Sequence, residues 1–101
     1  MKTTQFDASQ YLDSDEMISE YMKAVIEEND PQLFMMALGA VAKAKGMAEI
    51  ARKTGLGRES LYKAVDGNRS PKIDTVNKIL NACGLALDVK PLNTESTYRT
   101  P

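Results

Sequence analysis

Apolar side chains recur at helical spacing along most of this chain, and the interruptions fall where helices end. Ile18, Tyr21, Met22, Val25 and Ile26 follow an i, i+3, i+4, i+7, i+8 pattern, which predicts an amphipathic helix with an acidic opposite face. Asp13 with Glu16 three residues on reads as the capping box that starts it. Asn29-Asp30-Pro31 ends this helix and opens the next, with Asp30 as the cap and Pro31 at the first helical position. The second helix is expected to run to about Lys45 with Leu33, Ala37, Ala40, Val41 and Ala44 facing inward. Gly46 closes it, and Lys43 and Lys45 complement the negative end of its dipole.

Two short helical stretches follow, Met47–Thr54 and about Arg58–Val65, separated by Gly55-Leu56-Gly57. Gly67 to Pro71 reads as a loop. Ser70 or Asp74 can cap a last helix carrying Ile73, Val76, Ile79, Leu80, Ala82 and Cys83, stopped by Gly84. Leu85, Leu87 and Val89 then alternate with Ala86, Asp88 and Lys90, which predicts a short strand closed by Pro91. One lone strand is unstable. It could pair with its symmetry mate across a two-fold axis, pack on its own domain, or add to a partner's sheet. Met35, Met36 and Met47 are expected as gap-filling core side chains. Residues 1–12 form an arm with Phe6, Tyr11 and Leu12 as anchors, and the polar residues 93–101 are expected to be disordered.

The expected organisation is therefore an arm and acidic helix over 1–30, a helix-turn-helix domain over 31–92, and a tail over 93–101. With 101 residues the core is modest, so a helical bundle or an obligate dimer fits. Charge sharpens this division. The net charge of −1 conceals eight acids against two bases in residues 1–30 and eleven bases against six acids in the remainder. An acidic head on a basic body suggests one surface for nucleic acid and a separate one for another partner.

Composition excludes much chemistry. There is no histidine, so no Ser-His-Asp triad, no Cys-His pair and no imidazole metal ligand can form. The single cysteine, Cys83, cannot form an internal disulfide or a thiolate cage, and on an apolar helix face it reads as a buried, inert thiol. A carboxylate enzyme using Asp13, Asp15 and Glu16 is conceivable, but helix capping already explains these acids. No apolar run is long enough for a membrane span, and the N-terminus MKTTQFDAS lacks a signal peptide's apolar core. A cytoplasmic protein with no cofactor, no metal and no small-molecule substrate is expected.

Residues 47–66, MAEIARKTGLGRESLYKAVD, form one geometric object. Ala51 is small where two steeply crossing helices meet, and Gly55, four positions on, can take the positive φ that a tight turn demands. Ile50, Leu56, Leu61 and Ala64 lock the pair together. Its second helix then exposes Gly57, Arg58, Glu59, Ser60, Tyr62 and Lys63. A helix in the DNA major groove reads base edges with such residues. Arg58 can donate twice to guanine, Glu59 can accept from a cytosine amine, Ser60 is permissive, and Lys63 can reach a base or a phosphate. Tyr62 can stack on sugar and thymine methyl groups or pack back on the second helix. For phosphates, the candidates are the free N–H groups at Met47 and Ala48, together with Lys45, Asn68, Arg69 and Lys72.

The stretch GMAEIARKTGLGRESLYKAVDGNRSPKIDTVNKILNACGLALDV resembles the Xre/Cro-type repressor domains. More narrowly it resembles the addiction module antidotes, the HigA-like antitoxins of type II toxin–antitoxin operons, with the likeness covering roughly residues 6–90. The resemblance implies an all-α fold: a five-helix Xre/Cro-like helix-turn-helix domain with an extra N-terminal helix and a short C-terminal β-strand. It also implies a homodimer that binds double-stranded operator DNA at its own promoter and neutralises a RelE/ParE-type toxin. Leu85, Leu87 and Val89 would form the dimer strand. Gly57 stands where many of these repressors have Ser, Thr or Gln, so the contact from that side chain is missing. The rival functions are a stand-alone phage-type repressor without a toxin, and a protein-interaction module that has lost DNA binding.

Overall fold

The computed structural model describes residues 11–92. Five helices follow in order: α1 (Asp15–Glu27), α2 (Pro31–Lys45), α3 (Met47–Thr54), α4 (Arg58–Ala64) and α5 (Ile73–Ala82). The fold of the described residues is all-α. Helix α1 packs on α2, α2 on α3, and α3 on both α4 and α5. The expected arm and tail lie almost wholly outside the described residues.

Local chemistry accounts for most helix boundaries. Asp30 caps α2, its Oδ1 accepting from the N–H groups of Gln32 at 3.0 Å and Leu33 at 3.2 Å, and Pro31 takes the first helical position. Asn29, with φ 56°, makes the bend from α1 into that cap. The start of α1 differs from the expected Asp13–Glu16 box. Ser14 is the cap, its Oγ accepting from the Met17 N–H at 3.1 Å, and Asp13 stays outside the helix. With Ser14 as cap, the third helical position is Met17, so no glutamate can reciprocate. The shift places Asp15 and Glu16 in the first turn, where the positive end of the dipole favours them.

Neither Ser70 nor Asp74 caps α5. It starts at Ile73 behind Lys72 without a side-chain cap, and Asp74 contributes only as a first-turn acid. Its other end is a Schellman closure. The Leu85 N–H donates to Leu80 and the Gly84 N–H to Asn81, with Gly84 at φ 86°.

The expected strand at Leu85, Leu87 and Val89 is absent, and no strand occurs among the described residues. Leu85 is used up in the helix closure. Beyond it, Asp88 accepts from the Val89 N–H at 2.8 Å and Lys90 reaches Glu27 at 2.8 Å, so the segment returns along the end of α1 with no ladder partner. Alternation of apolar residues here does not mark a sheet.

The core is one continuous cluster. Leu38, Val41, Ile50, Leu61, Ile79 and Cys83 are essentially inaccessible, and Ile18, Met22 and Val25 carry α1 onto it. Gly39 lets α2 cross the end of α4, because a Cβ there would lie about 3.0 Å from the Val65 side chain. Four apolar residues expected inside face solvent instead: Ile26, Leu33, Met36 and Ile73. Helix α2 is apolar on nearly every face, so periodicity could not choose the buried one. Leu38 and Ala42, both inaccessible, define the buried face.

Candidate nucleic-acid interface

Helices α3 and α4 are held at a fixed angle by a three-residue turn whose geometry follows from its residues. Gly55 adopts φ 76° and its N–H closes α3 on the Ala51 carbonyl at 2.9 Å. Thr54 secures the same corner. Its hydroxyl donates to the Ile50 carbonyl at 2.9 Å and accepts from the Leu56 N–H at 3.2 Å. Sequence inspection missed this role, although a threonine immediately before a helix-closing glycine is its local signal. Beneath the turn, Ala51, Ile50, Leu61 and Ala64 are buried and Leu56 is half-buried, as the spacing required.

Burial of Leu61 and Ala64 fixes which face of α4 is outward. Arg58, Glu59, Ser60, Tyr62 and Lys63 are all exposed, so the structure brings these five residues together on one short helix. They are paired along the helix. The Arg58 guanidinium lies over the Tyr62 ring at 5.9 Å from its centroid, within cation–π range. Lys63 Nζ sits 3.5 Å from Glu59 Oε2. Tyr62 is half exposed and carries the arginine on its face rather than turning into the core. Both pairs lie at i, i+4 on a solvated surface, so each costs little to open when a partner arrives.

The residues expected at phosphates divide three ways. Asn68, Arg69 and Lys72 are exposed on the segment leading into α5, and neither Arg69 nor Lys72 forms an ion pair among the described residues. The Asp66 carboxylate orients this loop by accepting from the Asn68 N–H at 2.8 Å. Met47 buries its side chain, and α3 starts without any side-chain cap, so only the backbone of Met47 and Ala48 is available there. Lys45 is otherwise engaged. Its Nζ lies 2.9 Å from Asp15 Oδ1, and this hydrogen-bonded charge holds the Asp15 carboxyl below the usual carboxylate range. A tie across thirty residues has no signature in local sequence.

On the flank of α3, Glu49 pairs with Arg52 and more loosely with Lys53, and the arginine's hydrogen bond lowers the Glu49 pKa. Cys83 is buried and its thiol is pushed up to about 11 by desolvation, so it offers no nucleophile. Among the described residues no cluster of three metal-ligating side chains exists, and no helix is long and apolar enough to cross a membrane.

Residues 2–91 match the model of a family described as "Probable addiction module antidote protein". An uncharacterized protein of Haemophilus influenzae is 39% identical over 85 residues, covering 84% of this chain and 88% of that protein. No solved structure matches.

Proposed function

Because the chain belongs to the addiction module antidote family, we propose that it is the HigA-like antitoxin of a type II pair, binding operator DNA to autoregulate its operon. Membership implies a regulatory protein with a cognate toxin as partner, here taken to be of the RelE/ParE type. The DNA half of the proposal rests on one observation. A helix locked by Leu61 and Ala64 presents Arg58, Glu59, Ser60, Tyr62 and Lys63 together at the surface, next to Asn68, Arg69 and Lys72. Helices α3 and α4 then act as an Xre/Cro-type helix-turn-helix, with α4 in the major groove. Arg58 reads a guanine, and the loop cations with the backbone of Met47 and Ala48 hold phosphates and set register. Lys45 joins them only when its pair with Asp15 opens.

A palindromic operator calls for a two-fold dimer. Exposed apolar side chains at Ile73, Leu87, Val89 and Leu92 supply surface for one, with Val89 92% accessible. The test is a mobility-shift titration on the protein's own upstream DNA against scrambled DNA at two salt concentrations. Specific retention with steep salt dependence is expected. Arg58→Ala should cost about 1–3 kcal/mol at one base position and relax specificity there. Unchanged operator affinity in Arg58→Ala would remove α4 from the reading role.

A further inference from the structure

The acids of α1 fall into two sets. Asp15 and Glu27, at the two ends of the helix, are paired with Lys45 and Lys90. Glu16 and Glu20 face outward and pair with no other side chain among the described residues, and neither does Asp13, which precedes the helix. Glu16 and Glu20 border a shallow groove whose remaining lining is Tyr11, Leu12, Met17 and Tyr21. Tyr11 is 55% accessible and Met17 44%, so apolar surface and uncompensated carboxylates lie side by side.

This combination restricts what can cover the groove. Nucleic acid is repelled by the Glu16 and Glu20 carboxylates. A purely apolar partner would bury those charges without compensation, which is strongly unfavourable. A protein segment with arginine or lysine around an apolar anchor satisfies both features. Guanidinium forks pair with the carboxylates while their stems lie on the tyrosine rings and Met17. Resting on the antidote reading above, we propose that this groove on α1 is where the toxin docks, through a basic segment. DNA and toxin then occupy different elements, α4 and α1, of one chain.

The full chain, co-expressed with the tagged product of the neighbouring toxin gene, allows association and dissociation to be followed at low and high salt. The Glu16→Lys/Glu20→Lys variant should associate at least about tenfold more slowly at low salt and lose most of the wild-type salt dependence. Met17→Ala should leave association nearly unchanged and speed dissociation several-fold. All three substituted side chains are exposed, so circular dichroism and operator binding should match wild type and report that the fold is intact. Wild-type binding with unchanged kinetics in both variants would overturn the docking site while leaving the antitoxin assignment standing. So would a variant that alters only the chain's own oligomeric state. No complex with the wild-type chain would overturn the antitoxin assignment itself, and the docking site with it.

Discussion

Replacing Asp15 with Asn removes the carboxylate that holds Lys45 while keeping the side chain's shape. The pair is a surface one, with Asp15 almost fully accessible and Lys45 about one-third so. Its loss should therefore leave the thermal midpoint within experimental error. The effect belongs to DNA binding instead. Lys45 immediately precedes Gly46 and the uncapped start of α3, so a released ammonium lies beside the backbone proposed to meet phosphate. Each phosphate neutralised on duplex DNA adds about 0.9 to the slope of log affinity against log salt. One additional contact therefore makes the loss of affinity over a fourfold rise in salt about threefold larger. The assay is a mobility-shift titration at about 50 and 200 mM salt on wild type, Asp15→Asn, Lys45→Ala and the double variant. If Asp15 holds Lys45 away from DNA, Lys45→Ala alone leaves the slope unchanged. Asp15→Asn then steepens it by about one, and the double variant restores it. A slope that flattens in Lys45→Ala alone would show that DNA already takes Lys45 from Asp15 and would refute the reasoning.

Other outcomes follow from the core and the titrating groups. Leu61→Ala removes a fully buried side chain at the root of α4 and should destabilise the fold by about 2–5 kcal/mol in urea denaturation. Cys83, with its thiol pushed up to about 11, should resist alkylation at pH 8 in the native protein and react promptly once urea unfolds it. Asp15 and Glu49 have folded pKa values below their ordinary 3.8 and 4.5. Any contribution they make to stability is present above about pH 4.5 and lost as pH falls through the folded values. Both pairs are solvated, however, so the midpoints of wild type and Asp15→Asn should coincide across a series from pH 6 to pH 2. Tyr21 and Cys83 are raised by burial, so the opposite loss should appear above pH 9–10 as the unfolded chain ionises first.

Helix positions could be read from sequence wherever a local device fixes them. Asp30-Pro31, Gly55 and Gly84 each act through their own backbone or the next few residues, and the structure uses each as the pattern implied. The outward set on α4 was equally accessible to inspection, because Leu61 and Ala64 leave only one face for Arg58, Glu59, Ser60, Tyr62 and Lys63. Where the choice is made by a distant element, local pattern fails. Leu33 and Leu38 are equally apolar, and only the docking of α1 and α3 on α2 buries one and exposes the other. The expected strand failed for a related reason. Alternation specifies an extended backbone with two distinct faces, but a ladder needs a neighbour, and Leu85 to Val89 has none within the described chain.

Charge follows the same division, and there it bears on function. From sequence the acids of residues 1–30 form a single negative block. Folding sorts the described ones by role: Asp15 and Glu27 become ties within the chain, Asp30 becomes a cap, Glu16 and Glu20 remain uncompensated beside Tyr11 and Met17, and Asp13 and Glu28 stay exposed without an ion pair. The block's total charge therefore overstates what a partner at the groove meets, while Glu16 and Glu20 state it in position as well as sign. Lys45 shows the converse on the basic side, since a cation counted toward DNA by its place in the sequence is held by α1 instead. The acidic head and basic body are thus not two independent surfaces. They are joined at Asp15–Lys45, with Asp15 next to the outward Glu16 and Lys45 next to the Gly46 turn into α3, so on the proposed reading the start of α1 bears on whether Lys45 is available to DNA.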